Sequence, residues 1–517
     1  MRLTPRRSRL LPALLAAVLV TAAGCGGGGG SLSTDSSAKP ETLVVAMPAD
    51  IDGFDLMSVL TSTTRAWVGP NIVDTLAVYD FDSKSMKPSL ATEWTQTDDT
   101  HWVVTLRDAK FSDGRPVTAA DAAASMQYAL DGKTPLYKGF LSTITGAKAL
   151  DEHRLEVTTE KLDPVFPRRL QYISVMPQDQ LNAGTLADSV IGSGPYKLAQ
   201  WDKGRAITLR ANPEYWGTKP QFENVQLIIR PDSNVRLSAL ETNEAQLAML
   251  LDIDQADRAP KSVEIPGQEV ACFVVNTIGQ TSGSIMQDVR VRQAINYAID
   301  RDAIVNSLFS GKAQLPHAQL NPLTMAGTDP KLEDYPYDPD KARQLIKEAG
   351  AEGKTVTIRS MYSRWQKSKE LTEVVAGYLT DIGLKPNIVA VDYVAWQQGQ
   401  TDATDGKDAR ADLSILYHGN EYFDSTMKTL ANMQSRASGH GIWWIAEPQI
   451  DGLANQIAVE VDPGKRDALM RQVWGIFKDQ ALALPLVAPE FITGMNPSLQ
   501  YQPRPDEMLF LKDIGWK

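Results

Sequence analysis

The sequence predicts an α/β or α+β protein folded in more than one lobe. Three observations carry this expectation. The chain has 517 residues, more than one hydrophobic core serves well, so two or three lobes are expected. Short runs rich in β-branched residues alternate along it with segments of helical period, at both hairpin and βαβ spacing. After residue 40 no low-complexity linker and no internal repeat divides the chain, so the lobes must interleave in sequence.

The amino-terminal element is a leader. In MRLTPRRSRLLPALLAAVLVTAAGC, Arg2, Arg6, Arg7 and Arg9 form a positive stretch without acid, and Leu10 to Val20 an apolar run. That is the layout of a secretory signal, and the run is too short to span a bilayer. The ending Val20-Thr21-Ala22-Ala23-Gly24-Cys25 resembles a bacterial lipobox, in which the cysteine thiol carries a diacylglycerol. Each buried acyl methylene contributes roughly 0.8 kcal/mol, so several chains on Cys25 would anchor the protein stably. Arg6-Arg7 also fits a twin-arginine signal, whose other features are weak here. Residues 1–24 are therefore expected to be a lipoprotein signal peptide, and 25–40 a tether. The tether, GGGGGSLSTDSSAKP after Cys25, has Leu32 as its one large apolar residue. It would be a flexible coil on the order of 20 Å across.

Composition narrows the class of protein. The formal charge is −11, and about −15 without the four leader arginines. An acidic surface argues against nucleic acid as a partner. Hydrophobic residues make up 43%, which suits a water-soluble domain, and no later stretch approaches the ~20 apolar residues of a membrane-spanning helix. There are two cysteines. Cys272, in Ala-Cys-Phe-Val-Val, reads as a buried apolar residue, and no disulfide framework exists.

Strands are expected in ETLVVAM (41–47), HWVVTLR (101–107), HRLEVTT (153–159), AITLRAN (206–212) and VQLIIR (225–230). Further on they are expected in ACFVVNT (271–277), TVTIRSM (355–361), KPNIVAV (385–391) and ADLSILY (411–417). Thr118, with Asp121 three residues on, caps a helix over ADAAASMQYAL. VRQAINYAIDRDAIVNSLF (291–309) reads as one helix with Val291, Ile295, Ala298 and Ile299 on a face. Asp338-Pro339 starts a helix that Gly350 ends. The runs 369–383 and 449–480 are helical as well.

Four blocks carry a family likeness: FSDGRPVTAADAAASMQYAL (111–130), IGSGPYKLAQWDKGRAITLRANPEYWG (191–217), DVRVRQAINYAIDRDAIVNSLFSGKA (288–313) and YDPDKARQLIKEAG (337–350). In order and content they resemble the bacterial extracytoplasmic solute-binding proteins of peptide/nickel-type ABC importers, family 5. By themselves most of these residues read as scaffold. Asp113-Gly114 suits a turn, Gly192, Gly194 and Pro195 a bend where the chain crosses between lobes, and Asn212-Pro213 with Tyr215 and Trp216 an aromatic-packed turn. Arg290 and Arg292 are candidates for pairing with carboxylates.

The resemblance implies a two-lobed, periplasmic-binding-protein-like (type II) α/β fold with a subdomain inserted in the first lobe. Lobe I would comprise 41–275 and 484–517, with the insert at about 64–188, and lobe II 276–483. ACFVVNT and ALALPLVAP (481–489) would be the two crossings, making a hinge about which the lobes close. It also implies a monomeric, non-enzymatic carrier without cofactor or metal. Such a carrier is extracytoplasmic and lipid-anchored at the cell membrane, and delivers a small solute to an ABC permease and its ATPase. A short peptide is the first expectation, an oligosaccharide the second, and a metal chelate or other metabolite the third.

Peptide binders of this family hold the ligand's amino terminus with an aspartate after the strand that here reads ADLSILY. The matching stretch is Tyr417-His418-Gly419-Asn420-Glu421-Tyr422-Phe423-Asp424, with Gly419 or Asn420 at the expected aspartate. Glu421 or Asp424 would substitute after a shift, a charge-assisted contact in either case. Other cleft candidates are Trp365, Trp396, Trp443 and Trp444 as stacking faces, Arg364 for an anion, and Asn276 at the crossing.

Rival classes find little support. An exported hydrolase would be expected to show G-x-S-x-G or H-E-x-x-H, and neither is present. The five histidines, at 101, 153, 317, 418 and 440, lack metal-ligand spacing. A binding protein serving a membrane sensor or a surface chaperone stays open, since nothing in one chain separates it from an importer component.

Overall fold

The computed structural model describes residues 41–58, 63–132, 135–277, 284–362, 366–404, 411–435 and 447–517. Glu41–Lys517 form one compact unit. In chain order its first strands are β1 (Thr42–Met47), β2 (Ala77–Asp80), β3 (Ser85–Pro88), β4 (Ala91–Gln96), β5 (His101–Leu106) and β6 (Ile144–Ala149). Next come β7 (Arg154–Thr159), β8 (Tyr196–Asp202), β9 (Ala206–Ala211), β10 (Asn224–Ile229), β11 (Leu247–Leu251) and β12 (Ser262–Pro266). The last are β13 (Glu269–Val275), β14 (Ala313–Gln314), β15 (Thr355–Ser360), β16 (Lys385–Ala390), β17 (Leu413–Gly419), β18 (Ala483–Met495), β19 (Leu499–Gln500) and β20 (Gly515–Trp516).

One large sheet organises the molecule, in the order β16-β15-β17-β13-β18-β11-β1-β10-β9-β8, with β12 and β14 also on β18. β1 lies parallel to both β10 and β11. Its Leu43, Val45, Ala46 and Met47 are fully buried, as expected for a strand covered on both faces. Leu43, Val45 and Met47 each contribute roughly 1.5–3 kcal/mol.

β18 joins the two halves of this sheet. Ala483–Val487 pair with β13 on one side, and Glu490–Met495 pair with β11 and β12 on the other. The chain passes between halves at Gly267, where the backbone of Pro489 lies so close that a Cβ would sit 2.6 Å from its carbonyl oxygen. The crossing therefore precedes the ACFVVNT run, which is already inside the second half as β13, paired with β17. Cys272 is fully buried there.

Between β1 and β8 the chain builds a separate layer. β2 and β3 form a hairpin, and β4-β5-β7-β6 an antiparallel sheet. Helix Ala119–Asp131 packs on that sheet. Thr118 and Asp121 make a reciprocal capping box at its start. Gly192 and Gly194 lie where this layer rejoins the large sheet. Cβ atoms there would fall 2.1 and 2.7 Å from Ile72 backbone atoms. The glycines thus serve a close backbone approach within the first half, and not a crossing between lobes.

The segment 291–309 forms two helices, Val289–Ala298 and Arg301–Leu308. Asp300 breaks the run, because its carboxylate accepts from the Ala303 amide and caps the second helix. The 449–480 region likewise divides into Pro448–Ile457 and Pro463–Asp479, the second capped by Asp462. Arg290 pairs with Asp288 at 2.6 Å. Arg292 instead donates to the carbonyls of Met286, Gln287 and Gln480, tying the helix to the chain ahead of β18. Among the described residues no helix is long and apolar enough to cross a membrane.

Candidate solute-binding cleft

The turn after β17 is built by Asn420. Its side-chain oxygen accepts from the Tyr422 amide at 3.1 Å, and its side-chain nitrogen donates to the Asp424 carbonyl at 2.8 Å and to Thr429 Oγ1 at 2.9 Å. An asparagine that satisfies its own backbone in this way fixes a tight turn. The consequence is that residues 421–424 are thrust out of the second half against the inserted layer of the first.

Four contacts seat them. The Tyr172 hydroxyl donates to the Glu421 carbonyl. The Tyr422 ring meets Phe140 edge-on at 5.0 Å, and Phe140 stacks on Tyr172 at 3.8 Å. Phe423 stacks on Tyr79 at 5.2 Å. Asp424 pairs with Arg168 Nε at 2.9 Å, both side chains almost wholly buried. Burial alone would raise the Asp424 carboxyl, but the Arg168 charge and two bonds from Thr426 outweigh it and hold it below the usual carboxylate range. Nearby, Lys84 Nζ donates to the Leu323 carbonyl at 2.7 Å. The two halves are thus in direct contact at this turn.

Between them lies a cavity of about 140 Å³. Arg65, Ala66, Gln171, Tyr172 and the 506–508 loop border it from the first half. Gln268 and Glu269 border it from the crossing, and Gly419–Glu421 and Phe423 from the second half. Arg65, Gln171, Tyr172 and Met508 also border a chamber of about 400 Å³ within the first half, walled by Tyr79, Tyr137, Tyr215, Trp216 and Phe510. In that wall Asp74 is buried and accepts from Trp216 Nε1 at 2.8 Å and Ser193 Oγ at 2.9 Å. Burial outweighs these bonds and lifts its carboxyl to about 6.

The small cavity is rich in charge, and part of that charge is matched. Glu421 pairs with Lys428 at 2.6 Å; burial favours the neutral acid, but the lysine wins and keeps the carboxyl below its usual range. Asp506 is held by Arg504, with Nε at 2.9 Å. Two groups are not matched. Arg65 makes no hydrogen bond or ion pair to a described residue, and its Nε is buried. Glu507 likewise has no partner among them. Burial, then the neighbouring Glu269 and Asp506 charges, push its carboxyl up to about 8. Glu269 stands opposite Gly419 in the β13–β17 register. Its Cγ lies 3.3 Å from where a Cβ on residue 419 would be, so the glycine makes room for the glutamate stem.

Of the expected site residues, Glu421, Asn420 and Gly419 border this cavity. Asn420 turns its amide inward, and Asp424 is spent on Arg168. Tyr417 is buried, its hydroxyl donating to the Gln366 carbonyl. His418 is buried beside Thr429 at 2.9 Å, and burial holds its imidazole neutral, well below its ordinary range. Trp396 is buried, its Nε1 donating to the Ile415 carbonyl at 3.0 Å. Asn276 is buried at the end of β13, its amide on the Ala411 carbonyl. These four border neither cavity; they pack the second half, because the strands and helix that carry them point them into its core. Cys25, Arg364, Trp365, Trp443 and Trp444 lie outside the described residues. Sequence reasoning missed Arg65, Tyr172, Glu269 and Glu507. No local pattern marks the first, second or fourth, and only strand register relates Glu269 to Gly419.

Comparison with known proteins places this architecture. Residues 85–438 match the model for bacterial extracellular solute-binding proteins, family 5 Middle. The chain is 26% identical to the dipeptide-binding protein of Escherichia coli K12, over 88% of this chain and 90% of that one. It is also 26% identical to a probable di/tripeptide-binding protein 5 of Pseudomonas aeruginosa, over 90% and 94%. The solved structure of HbpA2 from Haemophilus parasuis superposes with a TM-score of 0.80 at 20% identity, covering 92% of this chain and 100% of that one. The fold is the two-lobed α/β architecture of periplasmic binding proteins, with the cleft where its two halves meet. The chain belongs to the family-5 bacterial extracellular solute-binding proteins.

Proposed function

We propose that this protein is the lipid-anchored receptor of an ABC importer, that its solute is a short peptide, and that it works as a monomer. One observation carries the reading. The 140 Å³ cavity has walls from both halves and from the hinge, so a ligand that fills it bridges them. Such a ligand stabilises the closed form by its differential affinity for that form. The closed form then docks on a permease, which opens it and takes the solute while the ATPase drives the cycle. No bond in the ligand is made or broken.

The choice of peptide is supported by the relatives described as dipeptide- and di/tripeptide-binding. It is also supported by a cavity that offers groups of both signs. The lipid on Cys25 and the Gly/Ser tether would keep the receptor at a high local concentration near its permease. The test is a thermal-shift and mass-spectrometric screen of di- and tripeptide mixtures, with scattering on each hit. Bound peptides that reduce the radius of gyration are expected; hits confined to sugars would overturn the peptide. Mass spectrometry of the mature amino terminus tests the anchor, and an unmodified Cys25 in the membrane fraction would refute it.

A further inference from the structure

We propose that the cleft holds a peptide by both free ends, its ammonium on Glu507 and its carboxylate on Arg65. This assignment deepens the peptide-receptor reading above and rests on it.

The amine anchor is not where alignment of the β17 turn expects it. Position 420 carries an amide, and that amide is consumed by its own turn. Glu421 and Asp424, the nearest acids, are each closed off by a cation, Lys428 and Arg168. Yet the cavity keeps another carboxyl beside the same turn. Glu269 borders it opposite Gly419 and has an interaction of its own. Glu507 comes from the carboxy-terminal loop, held at φ 58°, a conformation a β-carbon disfavours. A strained residue with an uncompensated carboxyl is costly in an empty protein, and an ammonium ligand relieves that cost through a charge-assisted bond. Arg65 is the complementary group. Its guanidinium borders the same cavity, lacks a partner among the described residues, and suits a planar carboxylate.

The charged groups around Glu507 decide its behaviour. On its own loop stand Asp506 and Arg504, which neutralise each other. β13 contributes Glu269, the β17 turn contributes Glu421 with its Lys428, and the segment after β1 contributes Arg65. Because Glu507 ionises at about 8, it carries a proton at pH 7 in the empty cleft. An ammonium docking there drives that proton off to solvent. Affinity therefore rises with pH below about 7.5, until the peptide's own α-amino group, with a pKa of about 7.7–8.0, starts to lose its charge.

The experiment is calorimetry on the full mature protein in detergent, with Ala-Phe, N-acetyl-Ala-Phe and Ala-Phe amide, against wild type, E507Q and R65Q. A competition screen with mixed di- and tripeptides runs alongside. Wild type is expected to lose at least tenfold in affinity for each blocked peptide. E507Q should bind Ala-Phe at least tenfold more weakly, no longer distinguish the acetylated form, and release no proton on binding. R65Q should lose discrimination against the amide alone. Equal wild-type affinity for free and acetylated peptide overturns the assignment and leaves the peptide receptor standing, as does E507Q with unchanged discrimination and proton release. Wild type that binds no member of the mixture removes the peptide reading and the assignment together.

Discussion

Replacing Glu507 by glutamine should make the empty protein more stable, and increasingly so with rising pH. The carboxyl ionises near 4.5 in an unfolded chain and at about 8 in the folded one. The folded state therefore binds more protons between those limits, and its stability falls as pH rises through them. Each pH unit costs about 1.4 kcal/mol, or about 3 kcal/mol at pH 7. Glu507 keeps part of its surface in water, which screens it, so about 2 kcal/mol is the working figure. Unfolding a chain of this length carries an entropy of about 1 kcal/mol per kelvin. E507Q should thus melt about 2 °C above wild type at pH 7, nearly level with it at pH 5, and higher still at pH 8.5. Differential scanning calorimetry at the three pH values measures this. A difference that stays flat, or one that narrows with rising pH, would refute the uncompensated carboxyl and with it the physical basis for a cationic ligand.

Asp424→Asn should strip the Arg168 guanidinium of its buried partner and cost about 3–5 kcal/mol; scattering should show expansion of the empty protein, and an unchanged radius of gyration would show that the pair does not hold the halves together. The folded carboxyl of Asp424 is depressed, so the pair's contribution is complete above the unfolded value of 3.8 and is lost as pH falls through the lower, folded one. Asn420→Asp places a carboxylate against the Asp424 carbonyl, two acceptors face to face, at a cost of about 1–3 kcal/mol; a tenfold gain in peptide affinity would contradict the anchor at Glu507. Gly192→Ala forces a Cβ to within 2.1 Å of the Ile72 oxygen and should lower stability by about 3 kcal/mol, with a normal melting temperature as the contrary result.

What could be read from the amino-acid order depended on how far each interaction reaches along the chain. Thr118 with Asp121, and Asp338 with Pro339, are decided within three residues, and the helices start where those residues place them. The core strands were legible because β-branched runs between turn residues are also local. Asp300 shows the limit of pattern reading: a cap inside an apolar periodicity looks like one more polar face residue until its carboxylate is seen on the Ala303 amide. The cleft is a different problem. Asp424 looked like an available anion because its cation, Arg168, lies in the other half of the molecule. Glu269 meaningfully faces the turn only because β13 and β17 pair in a register that sets it against Gly419, and Glu507 arrives from the carboxy-terminal loop. Every acid near the turn is visible in the sequence; which of them is left without a cation is not, since that depends on contacts between segments hundreds of residues apart. In a fold where two lobes share one cleft, the scaffold is therefore written locally, and the matching of charges across the cleft is written in long-range contacts.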